Sequence, residues 1–297
     1  MSDIPHVRDL AFHYEVVETV SPLLRRVVAR NPGPFTAQGS GTYIVGRGNV
    51  AVIDPGPELA EHIDALLNGL RGETITHQLI THTHLDHSPA AAAVKHATGA
   101  VTCGYGPHGT AGGTTSEAGA DFAFVPDMVL KTGDAVTGPG WTLRALHTPG
   151  HASNHLCFAL DEERTLFTGD HVMGWSTTVI SPPDGDMTAY LNSLALLLDR
   201  DDDAYLPTHG PAVPNPRRYV RALIGHRRQR SAGILRELAK GPRKIPEIVA
   251  AQYVGLDPRL VKAAGRSVLS HLLALKNNGQ VAVDGEADET ATFRLKV

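Results

Sequence analysis

Three histidines and one aspartate occur within six consecutive residues of this chain, in the segment His82-Thr83-His84-Leu85-Asp86-His87. No requirement of folding explains this density. Two transition-metal ions that share one short loop explain it, because histidine nitrogen and aspartate oxygen are natural ligands of such ions. The alternative interpretation is a chance cluster of surface or helix-capping histidines. Two ions need more ligands than one loop provides, so the fold must bring further side chains to the same place.

The residues on either side of this segment indicate its position in a fold. His77–Ile80 is predicted as a short buried strand that runs directly into the histidines. After them, Ser88 is predicted to cap a helix whose first position is Pro89 and which continues through Ala90–Ala97. Ligands placed between the end of a strand and the start of a helix are typical of active sites in α/β sandwiches.

Three later segments supply candidates for the remaining ligands. Each follows a predicted apolar strand and contains a glycine: Thr148-Pro149-Gly150-His151, Phe167-Thr168-Gly169-Asp170 and Thr208-His209-Gly210. Because α/β folds place their ligand sites at the carboxyl ends of strands, we expect these side chains to converge on one edge of the sheet.

Taken in order, these elements resemble the motifs of the metallo-β-lactamase superfamily, which are H-x-H-x-D-H, a later His, a later Asp and a final His. The resemblance covers approximately residues 35–215 and implies an α/β fold, the four-layer αβ/βα sandwich, with two metal ions at its edge. It assigns one ion to His82, His84 and His151. It assigns the other ion to Asp86, His87 and His209, and it makes Asp170 the bridge between them.

The predicted cofactor is a pair of divalent ions, most simply zinc, although iron and manganese also suit histidine and aspartate ligands. Two such ions about 3.5–4 Å apart lower the pKa of a shared water to about 7 and so provide hydroxide at neutral pH. Asp86 is predicted to act both as a ligand and as the catalytic group that orients this water. His155 is predicted as a second catalytic residue, with a satisfied strand histidine as its alternative. Asp54 either hydrogen-bonds the ligand loop or is a plain turn carboxylate.

The charge distribution and the prolines divide the chain. Residues 1–215 hold 11 Lys/Arg against 24 Asp/Glu, whereas residues 216–276 hold 14 against 3. Pro211, Pro214 and Pro216 mark a boundary between a catalytic domain over residues 1–215 and a smaller domain over residues 216–297. The basic block predicts either an anionic partner or electrostatic attachment to the acidic body.

The small domain has the layout of a winged helix, with three helices followed by a hairpin. The helices are predicted at Arg217–Leu238, Pro246–Ala251 and Pro258–Lys276, and the strands at Gln280–Val283 and Ala291–Lys296.

Three functions follow from these patterns. The foremost is a dinuclear metal-dependent phosphodiesterase or endoribonuclease acting on single-stranded RNA. It is favoured because the winged helix and the segment Gly225-His226-Arg227 resemble a lactamase-like group that includes a mitochondrial endoribonuclease. The second is a thioester or ester hydrolase of the glyoxalase II type, acting on a small molecule. The third is a non-catalytic nucleic-acid-binding module.

Cysteine spacing and the absence of long apolar runs indicate the cellular compartment expected for the protein. The two cysteines, Cys103 and Cys157, show no C-x-x-C spacing and are excluded as ligands. No secretory signal and no run of 18 apolar residues is visible, so we expect a cytoplasmic protein with no membrane partner. An exposed sheet edge or the long helix would suit a homodimer.

Overall fold

The computed structural model describes residues 4–109 and 119–296. Two large β-sheets face each other in this part of the chain, and their strands follow the order of the sequence. The first sheet contains β1 (Glu18–Thr19), β2 (Leu24–Val28), β3 (Gly41–Val45), β4 (Asn49–Ile53), β5 (Thr74–Leu79), β6 (Val101–Gly104) and β7 (Met128–Val129). The second contains β8 (Ala135–Gly138), β9 (Trp141–His147), β10 (Leu156–Leu160), β11 (Thr165–Gly169), β12 (Ala204–Pro207) and β13 (Val213–Pro214).

Helices cover the outer faces of both sheets, and a small third sheet follows them. The helices are α1 (Ala60–Gly69), α2 (Ala90–Thr98), α3 (Met187–Leu198), α4 (Pro216–Leu238), α5 (Ile245–Gln252) and α6 (Val261–Asn277). Short 3-10 turns occupy Asp161–Glu163 and Pro258–Leu260. The third sheet contains β14 (Arg243–Lys244), β15 (Val281–Val283) and β16 (Thr292–Leu295).

The alternation of side chains along β10 explains the layering. Phe158 and Leu160 point into the core between the two sheets, whereas Cys157 and Ala159 belong to the core under α3 and α4. Successive side chains of a strand face opposite sides, so a strand that is apolar at every position must be covered on both faces. On the first sheet the outer core includes Leu66 of α1. The result is the predicted four-layer αβ/βα sandwich.

Helix α4 belongs to two cores. Near its start, Tyr219, Val220 and Leu223 pack beneath the second sheet. Near its end, Ile234 and Leu238 join the core that α5, α6 and the third sheet form. The predicted winged-helix layout is present, with β14 as an additional strand. The predicted domain boundary at residues 215 and 216 coincides with the start of this shared helix and stays a prediction.

The strand directions bring the candidate ligands to one edge. β4 and β5 run parallel in the first sheet, and β11 and β12 run parallel in the second. β9 and β11 are both antiparallel to β10, so they run in the same direction as each other. The loops after β5, β9, β11 and β12 therefore carry their side chains to the same rim. Over the described residues, none of the helices combines the length and apolarity needed to cross a membrane.

Candidate metal centre

The loop after β5 folds into a tight turn that presents its side chains together. His87 N and Ser88 N both donate to the carbonyl oxygen of His84, at 3.0 and 3.2 Å. The prediction that Ser88 caps α2 is wrong, since no side chain caps this helix. Instead, the Ser88 hydroxyl donates to Asp121 Oδ2 at 2.6 Å. That bond anchors the end of the ligand loop to the neighbouring segment.

Three imidazoles surround the first candidate ion position. His84 Nδ1 lies 2.9 Å from His82 Nε2 and 3.1 Å from His151 Nε2. All three ligand nitrogens lie within 4.8 Å of one another. His151 follows β9, so the group joins a loop of the first sheet to a loop of the second. The set matches the first ion site that the sequence predicts.

A second group lies beside the first and contains a carboxylate. Asp86 Oδ2 lies 3.0 Å from His209 Nε2 and 3.6 Å from His87 Nε2. These three ligand atoms also lie within 4.8 Å of one another. His209 follows β12, so the final predicted element reaches the rim as expected.

Asp170 stands between the two groups. Its Oδ2 lies 3.6 Å from His151 Nε2 of the first group. Its Oδ1 lies 3.4 Å from His209 Nε2 and 3.7 Å from His87 Nε2 of the second group. One carboxylate oxygen facing each group is the arrangement that a bridging ligand needs.

Unsatisfied buried atoms show that these residues fit a pair of metal ions. His87 Nε2, His209 Nε2 and Asp170 Oδ1 are buried without a hydrogen-bond partner among the described residues. A buried polar atom left unpaired costs about 1–3 kcal/mol, so three of them at one point call for a ligand. Nitrogen and carboxylate oxygen are the donor atoms that zinc, iron and manganese accept.

The ring nitrogens remote from the ion positions are held by oxygen atoms. His87 Nδ1 donates to Asp54 Oδ2 at 2.8 Å, and His151 Nδ1 donates to Val179 O at 2.7 Å. His209 Nδ1 donates to Gly39 O at 3.2 Å. A proton held on the remote nitrogen by such a hydrogen bond fixes the tautomer and leaves the near nitrogen free to bind a metal.

The buried Asp54 side chain holds the ligand loop in place through hydrogen bonds. The side chain is 1% exposed and accepts from Thr81 N, Thr81 Oγ1 and His87 Nδ1 at 2.7, 2.7 and 2.8 Å. It also accepts from Thr208 Oγ1 at 2.9 Å. One carboxylate thus ties the end of β4 to the loops after β5 and β12. Of the two interpretations left open for Asp54, the hydrogen bond to the ligand loop is confirmed.

The two groups differ in electrostatics. Burial, followed by the nearby His151 imidazole, lowers the pKa of His84 to about 3, so this ring is neutral as metal binding requires. Burial also opposes charge on His209, but the carboxylates of Asp170 and Asp86 outweigh it and raise the pKa of His209. The second group therefore lies in a negative potential that a bound cation would neutralise.

Two glycines allow the ligand-bearing turns to pass close to the rest of the protein. Gly150 has a φ of +142°, and an added Cβ would lie 2.4 Å from the Cα of Tyr190. Gly169 has a φ of +48°, and its Cβ would lie 2.6 Å from His155 Nε2. Each position combines a left-handed backbone with a close approach, which only glycine tolerates.

His155 lies behind the site. It is fully buried, and Asp170 N donates to its Nε2 at 3.3 Å. Its Nδ1 then carries the proton and donates to Thr148 Oγ1 at 2.9 Å. These contacts suit a residue that positions Asp170, and the catalytic role of His155 stays a prediction.

Arg227 links the C-terminal domain to the same site, a connection that the sequence does not reveal. Its side chain is buried, donates to the carbonyl oxygen of Thr178 and lies 5.2 Å from the centroid of the Tyr190 ring. The Thr178 hydroxyl in turn donates to the backbone oxygen of Asp170 at 2.7 Å. A single residue, Thr178, therefore connects the long helix to the candidate bridging ligand.

This geometry agrees with comparisons to known proteins. The profile of the metallo-beta-lactamase superfamily matches residues 35–209, more than half of the 297 residues. The chain belongs to the metallo-beta-lactamase superfamily. A second profile, that of the beta-lactamase associated winged helix domain, matches residues 245–289. The predicted metallo-beta-lactamase fold with a C-terminal winged helix is confirmed, and the protein is a hydrolase of this superfamily.

Relatives share most of the length of the chain. The lactamase-like protein adaB of Aspergillus niger is 29% identical over 296 residues, which cover 94% of this chain and 88% of the relative. A protein of Aspergillus terreus named atrochrysone carboxyl ACP thioesterase is 29% identical over 294 residues, with 93% and 87% coverage. The crystal structure of a beta-lactamase domain protein from Burkholderia ambifaria superposes with a TM-score of 0.81 at 21% identity. It covers 97% of this chain and 95% of that one, and it shows the shared fold.

The metallo-beta-lactamase domain and the winged helix meet at a pocket, called here the metal pocket. It has a volume of about 540 Å³, and Asp86, His151 and Asp170 lie on its floor. Phe35 and Trp175 also line it. Three basic residues of the C-terminal domain complete the wall: Arg259, Lys262 and Arg266.

The partners of the basic block distinguish the two roles predicted for it. Within the described residues, no ion pair joins residues 216–276 to the acidic body. Instead, Lys240 pairs with Glu237, Arg259 with Asp257 and Arg266 with Glu289. No direct ion pair between described residues therefore attaches this block to the acidic body, and the Lys262 side chain, which has no ion pair among them, is available to a ligand.

Proposed function

We propose that the protein is a dinuclear metal-dependent thioester hydrolase. The proposal assigns the two ion positions to His82, His84 and His151 and to Asp86, His87 and His209, with Asp170 between them. It is supported by a relative named as an ACP thioesterase that aligns with 93% of this chain. The observation that carries the proposal is the composition of the metal pocket, which is small and is lined by both apolar and cationic side chains beside the candidate ligands.

The size of the metal pocket favours a small acyl group. A volume of about 540 Å³ lies within the range of small-molecule sites, about 300–1,000 Å³. Phe35, Met173, Trp175 and Val179 provide the apolar surface. An acyl chain can bury its carbons there while its carbonyl group lies at the floor.

The side chains around the candidate ion positions suit a substrate whose leaving group does not need to be protonated, such as a thiolate. When bound, two divalent ions lower the pKa of a water molecule and polarise a carbonyl oxygen. Asp86 lines the pocket, and although burial raises its pKa, His87 and His209 outweigh this and lower it, so the carboxylate stays ionised and can accept a hydrogen bond but is a poor general acid. The only imidazoles among the described lining residues are the candidate ligands His84 and His151. A thiol of pKa about 8.5 leaves as thiolate without a general acid, unlike an alcohol.

A substrate panel tests this function. We expect the metal-loaded protein to hydrolyse acyl thioesters of pantetheine or coenzyme A at least about tenfold faster than the matching oxygen esters. Release of free thiol, followed with a thiol reagent, measures the reaction. Asp170→Asn protein prepared in parallel controls for contaminating hydrolases.

Single-stranded RNA cleavage is the second candidate, and the basic wall of the metal pocket is the observation that favours it. Labelled single-stranded RNA therefore belongs in the same panel. RNA cut by the wild type, with no thioester turnover, would reject the thioesterase proposal and favour a phosphodiesterase.

Lys262 is expected to recognise a negative charge on the substrate. It lines the metal pocket and has no hydrogen bond or ion pair among the described residues. Replacing it with alanine should raise KM for a thioester with an acyl carboxylate by about tenfold and leave kcat nearly unchanged, because a charged hydrogen bond contributes about 1.5–3 kcal/mol. Lys276→Ala, on the far end of α6, is the matched control. An equal effect on a neutral acyl thioester would contradict charge recognition.

A further inference from the structure

A second cavity lies beside the metal pocket and takes no part in the proposed reaction. It has a volume of about 800 Å³. Three parts of the chain form its walls: the N-terminal segment with His6 and Arg8, the segment 175–177, and helices α4 and α5. Trp175, Ser176 and Thr177 line both cavities, so one short segment separates them.

The charged residues that line this second cavity are mostly cationic. Arg8, Arg230 and Arg236 line it, and the one acidic residue among the described lining residues is Glu237. Glu237 is already engaged, since both of its carboxylate oxygens accept from Lys240 Nζ, at 2.7 and 2.9 Å. Arg8 and Arg236 have no ion pair or hydrogen bond with any described residue. Two arginines on one cavity are therefore free to bind an anion.

Unpartnered donors accompany these arginines. Trp175 Nε1, His226 Nδ1 and Gln252 Nε2 are buried atoms without a hydrogen-bond partner among the described residues, and all three residues line the cavity. Burial, followed by the cations of Arg227 and Arg230, lowers the pKa of His226 to about 4. The neighbouring arginines thus create a positive potential in which a neutral imidazole supplies an uncharged hydrogen-bonding group.

We propose that the second cavity binds a small organic phosphate. Arginine suits phosphate because its planar fork makes two parallel hydrogen bonds to two oxygens. A cavity of about 800 Å³ exceeds the needs of inorganic phosphate, and Ile4, Trp175 and Ala251 give the remainder of a ligand an apolar surface. Enclosure by three separate segments favours a small molecule over a continuous nucleic-acid strand.

This proposal does not rest on the thioesterase function, because none of the lining residues is a candidate metal ligand. The phosphate has two sources, a free metabolite or the phosphopantetheine arm of a carrier-bound substrate. In either case the bound ligand would lie next to the metal pocket, because residues 175–177 line both cavities.

Binding of phosphopantetheine, compared with phosphate-free pantetheine, tests the site. Calorimetry on the metal-loaded protein should detect the first compound and not the second. Arg8→Gln and Arg236→Gln should each weaken phosphopantetheine binding by about tenfold or more. Arg228→Gln is the matched control, since Arg228 is exposed on the same helix and lines none of the described cavities.

The source of the phosphate is distinguished by adding an acyl carrier protein with and without its arm. Weaker binding of the armed carrier by Arg236→Gln indicates the arm, whereas an effect on free phosphopantetheine and coenzyme A alone indicates a metabolite.

Circular dichroism confirms that each variant folds. No binding of phosphopantetheine by the wild type, equal binding of pantetheine, or unchanged binding by both variants would overturn the proposal.

Discussion

Asp170→Ala is expected to lose activity by about a thousandfold or more, together with one of two bound metal ions. The side chain is 10% exposed and lies within 3.7 Å of ligand nitrogens on both sides, from His151, His87 and His209. Without it neither group retains the shared carboxylate, and the positions of both ions are loosened. A thousandfold loss corresponds to about 4 kcal/mol of transition-state stabilisation. Metal analysis of the purified protein and thioester kinetics measure the two effects.

Asp121→Asn is the control for this experiment. Asp121 is also a buried carboxylate close to the ligand loop, but it belongs to neither ion group. We expect this variant to retain two ions per chain. An Asp170→Ala protein that keeps full activity and two ions would remove the bridging role.

Asp54→Ala is expected to destabilise the protein by about 3–5 kcal/mol and to weaken metal binding by about 10–100-fold. The buried carboxylate accepts four hydrogen bonds, from Thr81 N, Thr81 Oγ1, His87 Nδ1 and Thr208 Oγ1. Its removal leaves these donors unpaired at about 1–3 kcal/mol each before relaxation. It also frees the His87 ring to rotate, and such outer partners commonly set metal affinity over this range. Urea unfolding and competition with a chelator provide the two measurements.

Asp54→Asn separates charge from shape. The amide keeps one acceptor oxygen but points a donor at groups that themselves donate, so we expect an intermediate loss of stability. Should Asp54→Ala bind metal as tightly as the wild type, the carboxylate would have no role in orienting His87.

The convergence of the candidate ligands could be predicted from the sequence because each of them lies beside a strong local signal. Asp170 follows strand β11 directly, His209 lies two residues after strand β12, and each adjoins a glycine. The hairpin of β3 and β4 is equally local, since its connection, Gly46-Arg47-Gly48, contains two glycines. Local sequence signals were therefore enough to predict which loops carry the candidate ligands at the rim of the sandwich.

Contacts between distant parts of the chain could not be predicted in this way. Lys262 reaches the metal pocket only because α6 packs against the catalytic domain. The net charge of residues 216–276 does not indicate which of their basic side chains faces the pocket. Strand β2 (Leu24–Val28) contains two arginines, which hide its apolar pattern, so the sequence does not predict it. The sequence predicts a helix cap at Ser88 because the observed partner of this side chain, Asp121, is 33 residues away along the chain.

The double membership of α4 restricts how such a protein can be divided or recombined. A cut at residue 215 would remove Tyr219, Val220 and Leu223 from beneath the second sheet. It would also detach Arg227 from Thr178, whose hydroxyl holds the backbone of Asp170. The metallo-beta-lactamase domain and the winged helix therefore share one structural element, and we expect chimaeras between relatives to fold when they exchange both domains together rather than at the proline-rich junction.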